Sequence, residues 1–381
     1  MDELIGLSDQ EQSERIAEHY SQISNQYEQV KESDFPEYFN PTQDGLSNPP
    51  SINPTQHGSS SPPVIEPFKV YKVIEKMNRK AATIENDIPV KLFHEFSVEL
   101  AFPLSHILNF CIKNGVYPDL WKVETVTPVP KIFPPGKLED LRKISGLPNC
   151  SKVADKVIGE FVLKDMEPTR DPSQYGNEKQ ISAQHYLIKM LNRILTAVDS
   201  NSQREAFAVL VTMVDWSQAF DRQSHRLGIQ SFIENGVRSS LIPILISFFK
   251  NRKMKVKWNK TSSTLHNLNG GGPQGGLMGI LEYLSQTNNN TDFIDPDDKF
   301  KFIDDLSILE IINLISQGLS SFNFKSNVAS DINIEHNKFL PQNNFESQSH
   351  LDRISEWTRA NLMKLNSEKS KFMVVIFTKD Y

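Results

Sequence analysis

Residues 300–309, FKFIDDLSIL, constrain the fold more than any other stretch. An apolar run stops at two adjacent carboxylates, Asp304 and Asp305, and resumes as Leu306, Ile308 and Leu309. Asp tolerates turn geometry and the flanks favour sheet, so the stretch predicts two short strands joined by a tight turn. Side-by-side carboxylates repel, and in a shielded site both stay ionised only with a cation between them. A hard divalent ion with oxygen ligands fits that need, since Mg2+ usually takes one or two protein carboxylates plus substrate phosphates. A solvent-exposed Asp-Asp turn is the alternative, and the pair by itself does not choose between them.

With 381 residues, 38% of them hydrophobic, the chain has room for more than one subdomain and a sizeable core. No apolar run reaches membrane-spanning length and the acidic N-terminus lacks a signal-peptide core, so the expectation is a soluble intracellular protein. Two cysteines, Cys111 and Cys150, offer neither a disulfide framework nor a zinc quartet. The net charge of −6 is unevenly divided: residues 1–64 carry eleven acids and two bases, a balance of −9, which leaves +3 for the rest. Residues 250–260, KNRKMKVKWNK, hold six bases and no acid. They suit either a solvated loop or a surface facing phosphates, with Lys250, Arg252, Lys253, Lys255, Lys257 and Lys260 as contacts.

Along the chain, residues 8–31 suit a polar helix, whereas 33–66, rich in Pro, Ser, Asn and Gln, read as a disordered linker. Residues 1–66 are thus expected to form an acidic, largely disordered tail, with structure beginning near Pro67 at a helix start. Helical spacing continues through Val70, Val73, Ile74 and Met77, and a second helical segment ends at Gly115. VETVTPVPKI predicts a strand, LRKISGLPNCSKVADKVIGEFVLKDM a helix, and SAQHYLIKMLNRILTAVD a strongly amphipathic helix. Residues 67–205 form one expected division and 206–381 the next, with a polar insertion near 316–348. FAVLVTMV predicts a strand buried on both faces and ends at Asp215, which suits a helix cap or a cation ligand. Five glycines around Pro273-Gln274 mark a loop that lets backbone or ligand approach closely. A helix, a turn near Asn366 and a strand, MVVIF, close the pattern.

In that order, VDWSQAFD, GGPQGG, FIDD and LMKLNSEKSKFMVV resemble the successive motifs of reverse transcriptases. Trp121-Lys122, VTPVPK, LRKIS and QYGNEKQISAQHYL resemble the upstream blocks of LINE-type (non-LTR) retrotransposon enzymes, so the resemblance spans roughly residues 67–377. It implies an α+β right-hand polymerase: fingers and pre-fingers over 67–205, and a palm over 206–381 whose antiparallel sheet packs on helices. The reaction implied is RNA-templated DNA synthesis, with RNA template, DNA primer and dNTPs as partners, in the nucleus or cytoplasm. Two Mg2+ ions, with Mn2+ as the substitute, would lie roughly 3.5–4 Å apart. Three converging carboxylates would hold them: Asp215 and Asp304 as the clamp, with Asp305, assigned to the opposite side of its strand, in support.

By the same resemblance Lys369 would protonate the departing pyrophosphate, unless it is only an exposed lysine at a helix end. Lys131 and Arg142 would neutralise the triphosphate, Phe220 would exclude a ribose 2′-hydroxyl, and Gln274-Gly275 would contact template and nucleotide. The chain departs from the family at Lys143, where proline is usual, at Ile303 for alanine and at Gly276 for serine. The thumb, the endonuclease portion and a zinc knuckle are expected to be absent, which suggests a fragment of a larger element protein. The alternative is a catalytically inactive remnant that binds nucleic acid.

Overall fold

The computed structural model describes residues 2–39, 61–200, 206–313 and 346–378. Residues 40–60 of the expected linker and 316–345 of the expected insertion lie outside them. Helices among the described residues are α1 (Asp9–Ser24), α2 (Pro67–Lys76), α3 (Val90–Glu95), α4 (Ser97–Asn114), α5 (Asn149–Met166), α6 (Ala183–Ser200), α7 (His225–Glu234), α8 (Ile242–Phe249), α9 (Leu277–Gln286) and α10 (Glu346–Ala360). Strands are β1 (Val123–Pro130), β2 (Leu141–Gly146), β3 (Ala206–Val214), β4 (Arg252–Trp258), β5 (Thr261–Ser262), β6 (His266–Leu268), β7 (Lys299–Phe302), β8 (Asp305–Asn313) and β9 (Lys371–Thr378). They fall into two compact units, one of Met1–Arg170 with Phe220–Thr287 and one of Asp171–Ala219 with Asn288–Tyr381. No helix among the described residues is long and apolar enough to cross a membrane.

In the first unit, α2, α4, α5, α7, α8 and α9 share an apolar core through Ile74, Leu104, Val157, Phe232, Leu245 and Leu281. A sheet in the order β2-β1-β4-β5, with β6 also on β4, completes it; β1 and β4 run parallel and the other pairs antiparallel. LRKISG is strand β2 rather than the start of a helix, because it hydrogen-bonds along β1 from Leu141 to Gly146. The helix begins only after Pro148, at Asn149.

The expectation of a largely disordered tail is also corrected for the parts described. A capping box, Ser8 with Glu11, starts α1. Its apolar side, Ile16, Ala17 and Tyr20, is buried against Val126, Met254, Val256 and Leu268 of the sheet. Further on, Val30, Phe35 and Ile65 join the helical core. The physical reason is that a few well-spaced apolar side chains suffice to dock an otherwise polar helix.

In the second unit a four-stranded antiparallel sheet runs β7-β8-β3-β9. Strand alternation sends Phe207, Val209 and Val211 to one face, where they pack with Phe300, Leu309 and the α6 residues Met190, Ile194 and Ala197. On the opposite face lies α10: Glu310 accepts from the backbone N–H groups of Glu346 and Ser347 at its N-terminus, and Trp357 meets Trp216 edge-on. The predicted hairpin, the strand ending at Asp215 and the closing helix–turn–strand therefore form one layered unit.

Candidate active site

Strand β3 delivers Asp215 to the end of the sheet, and the β3–β8 ladder decides what it meets. Met213 pairs with Ser307 and Val214 with Leu306, so one step further Asp215 comes opposite Asp305. Phe302 pairs with Asp305, which leaves Ile303 and Asp304 as a two-residue turn. Asp305 shares the α6-facing side of β8 with Ser307, whose hydroxyl meets the Tyr186 hydroxyl at 2.6 Å. Asp305, expected to turn away, is thus set by the register on the same face as Asp215, with Asp304 beside it in the turn.

The carboxylate pair carries the electrostatic mark of that closeness. Partial loss of hydration, then the charge of Asp215, raises the pKa of Asp305 above the ordinary carboxylate value. Two hard oxygen donors repelling each other at a strand end fit a divalent ion that completes its shell with phosphate oxygens. Among the described residues no group of three or more Asp, Glu, His or Cys side chains is arranged to hold a metal.

The backbone of Asp215 is tied on both sides by the turn before β9. Its N–H donates to Ser370 Oγ at 3.1 Å, and its carbonyl accepts from the Asn366 N–H at 2.9 Å. Ser217 N–H reaches the Lys364 carbonyl at 2.8 Å. Lys369 lies in this same turn and is exposed. Helix capping is not the role of Asp215, since the next helix, α7, starts at His225 and is capped by Ser224.

The remaining candidates belong to the first unit. Arg142 is exposed on β2, and Lys131, at the foot of the β1–β2 loop, donates through Nζ to the Glu139 carbonyl at 2.8 Å. Gln274 donates through Nε2 to Asp221 Oδ1 at 3.0 Å, and its carbonyl accepts from the Ser145 N–H at 3.0 Å. A Cβ on Gly275 would lie 2.7 Å from the Ser145 carbonyl oxygen, and its φ of 148° suits glycine. Phe220 packs against Tyr283, ring centroids 5.2 Å apart.

Two departures from the family pattern acquire physical reasons. Gly276 leaves room for Asp155, which caps α9 by accepting from the N–H groups of Leu277 at 2.5 Å and Met278 at 3.0 Å; a Cβ there would sit 2.9 Å from its carboxylate. Lys143 is buried and pairs with Glu124 at 2.8 Å, and Glu124 also faces Arg252 at 3.6 Å.

Arg252 is accordingly a correction. It was expected to contact nucleic acid, yet it is 1% exposed, beside Glu124 and over the Phe248 ring. The basic run is a strand, not a loop, and its pleat turns Arg252, Met254 and Val256 inward and Lys253, Lys255 and Lys257 outward. Lys253, Lys257 and Lys260 are exposed. Lys250 pairs with Glu32 at 2.9 Å and Lys255 with Glu85 at 3.5 Å.

Sequence reasoning missed Asp221, Asp155 and Ser24. Asp221 has one sequence signal, its place directly after Phe220. Ser24 Oγ accepts from the N–H groups of Asn269 at 2.8 Å and Gly270 at 3.0 Å, so the N-terminal segment braces the glycine-rich loop. Such a contact, across some 245 residues of chain, leaves no local trace.

No protein-family model matches the chain. Among curated proteins it is similar to the probable RNA-directed DNA polymerase from transposon X-element of Drosophila melanogaster, at 29% identity over 183 residues, 46% of this chain and 19% of that protein. The probable RNA-directed DNA polymerase from transposon BS of Drosophila melanogaster matches at 25% over 227 residues, 57% of this chain and 24% of that protein. The RNA-directed DNA polymerase from mobile element jockey of Drosophila funebris matches at 24% over 221 residues, 56% of this chain and 23% of that protein. The chain therefore spans about a fifth to a quarter of the length of these relatives. These similarities bear out the resemblance to retrotransposon RNA-directed DNA polymerases.

Proposed function

We propose that a chain so similar to the polymerases of mobile elements performs their chemistry: RNA-templated DNA synthesis in retrotransposition, as a portion of a larger element protein. The observation that carries the reading is the meeting of Asp215 and Asp305 across the β3–β8 ladder, within the motif order shared with reverse transcriptases. In this reading the second unit is the palm, and the first supplies the fingers together with the Phe220 and Gln274 segments.

Asp215 and Asp305 would hold Mg2+, with Asp304 beside them in the turn. When bound, the two ions supply an activated primer 3′-hydroxyl and charge neutralisation on the leaving pyrophosphate. The protein's own part is positioning. Ser370 and Asn366 fix the Asp215 backbone, so its carboxylate enters the reaction without reorganising. Lys131 and Arg142 would bind the triphosphate, and phosphoryl transfer depends mainly on such placement of charge. Lys369, exposed in its turn, would donate a proton to pyrophosphate. Phe220 would select deoxynucleotides, Gln274-Gly275 would contact template and nucleotide, and Lys253, Lys255, Lys257 and Lys260 would follow a phosphate backbone.

Primer extension on poly(rA)/oligo(dT) with Mg2+ and dTTP tests the reading. Incorporation that disappears in Asp215→Asn and Asp305→Asn is the expected result. RNA binding with no incorporation by the wild-type chain would overturn it in favour of a binding remnant.

A further inference from the structure

Ile303 occupies a backbone conformation that its own side chain resists. It is the first residue of the two-residue turn between Phe302 and Asp305, and its φ is 56°. A positive φ at that position is a glycine site in type II′ hairpins, and for a β-branched residue it is an outlier that surrounding structure must hold in place.

The surrounding structure is the side chain of Gln174. Its Oε1 accepts from the Ile303 N–H at 2.9 Å and from the Gly176 N–H at 2.8 Å, while Nε2 donates to the Ile303 carbonyl at 3.3 Å. One carboxamide therefore engages both backbone groups of the strained residue. Gln174 is itself anchored, because the flanking backbone extends β7: Lys301 N–H donates to Ser173 O at 2.9 Å, and Tyr175 N–H to Lys301 O at 2.8 Å. It is 8% exposed. Gly176 makes the approach feasible, since a Cβ there would lie 2.5 Å from the Ile303 nitrogen.

We infer that Gln174 is a positioning residue for the acidic turn, clamping Ile303 in its left-handed conformation so that Asp305 stays opposite Asp215. The catalytic consequence rests on the polymerase reading above; the clamp is a statement about the fold alone. Its chemistry is specific: an amide has the one acceptor and one donor that a peptide N–H and C=O require, and neither Glu nor Leu at 174 has both. Catalysis by positioning is sensitive at this scale, where a displacement of about 1 Å costs on the order of 100-fold.

The test uses the full chain and three proteins: wild type, Gln174→Ala, and Gln174→Ala with Ile303→Gly. Glycine adopts the turn conformation without help, so the second substitution removes the need for the clamp. Single-nucleotide primer extension reads kcat and the dNTP KM, and hydrogen exchange reads the amides of 302–306. A fall in kcat of about 10- to 100-fold in Gln174→Ala, with KM little changed, faster exchange at Ile303, and recovery of most of kcat in the double variant would support the inference. Unchanged kcat and exchange in Gln174→Ala would overturn it. So would a loss that the glycine does not restore, because Gln174 would then act through general stability. If the wild-type chain incorporates nothing, the polymerase reading fails and the catalytic consequence with it. Exchange then decides the clamp by itself: acceleration at Ile303 upholds it, and unchanged exchange overturns it.

Discussion

Asp305 concentrates the question at the scale of single residues. Its pKa is raised by partial loss of hydration and by Asp215, so the folded chain binds a proton there more tightly than the unfolded chain. The sign follows: without metal, this group favours the fold at low pH, and that contribution is lost as pH rises from the ordinary carboxylate value through the raised one. Asp305→Asn should therefore leave the metal-free melting temperature no lower than wild type at pH 7; on the proposed polymerase reading, Mg2+ should raise the melting temperature of the wild type but not of the variant. Thermal melts with and without Mg2+ measure both. A variant that loses stability without metal and keeps the Mg2+ response would contradict the pairing. On the same reading, Asp215→Asn should also abolish the response of the melting temperature to Mg2+.

At the level of the element, β7 and β4 show how much depends on which way a strand faces. Strand β7 rests on Asp171, which accepts Lys301 at 2.7 Å and lies 3.5 Å from Lys299, all three buried. Burial pushes the Asp171 carboxyl upward, but the charge and hydrogen bond of Lys301 overcome it and hold the pKa below the ordinary value. Its contribution is present above the ordinary carboxylate pKa and is lost as pH falls through the depressed one, opposite in sign to Asp305. Asp171→Asn would leave two buried ammonium groups without their counter-charge. The expected cost is about 3–5 kcal/mol, read by urea denaturation. In β4 the outward lysines and the inward arginine should separate cleanly. On the polymerase reading, alanine at Lys253, Lys255 and Lys257 should weaken RNA binding and flatten its salt dependence, by up to about 0.7 in log–log slope for each single-strand phosphate deprived of its lysine. Arg252→Ala should instead lower the melting temperature, because it removes one partner of buried Glu124. A salt titration of RNA affinity beside a thermal melt distinguishes the two faces.

For the molecule as a whole, the acidic N-terminal segment is a structural part of the first unit. Along its length Gln12 accepts from Trp258 Nε1 at 2.8 Å, Glu14 meets His266 at 2.6 Å, and Tyr27 donates to the Arg222 carbonyl at 3.0 Å. Removing residues 1–31 would bare Met254, Val256 and Leu268, so the shortened chain should lose soluble yield and cooperative melting. A milder version is Ile16→Ala, at 0% exposure, with an expected cost of about 2–4 kcal/mol in chemical denaturation. Denaturation unchanged by either alteration would show the helix to be dispensable.

Much of this molecule was written in local patterns. Alternation, helical spacing and turn residues identify the hairpin at 302–305, β3 up to Asp215, α6, and the closing turn and strand, because each depends on neighbours a few residues away. The motif order that resembles reverse transcriptases is likewise a property of the linear chain. Three matters belonged to the tertiary structure: that Asp305 comes opposite Asp215, that Arg252 points inward between lysines that point outward, and that an acidic helix docks on β4. Each is decided by pairing between segments far apart in sequence, where a shift of one residue in register exchanges the two faces of a strand. Local composition carries no record of that shift.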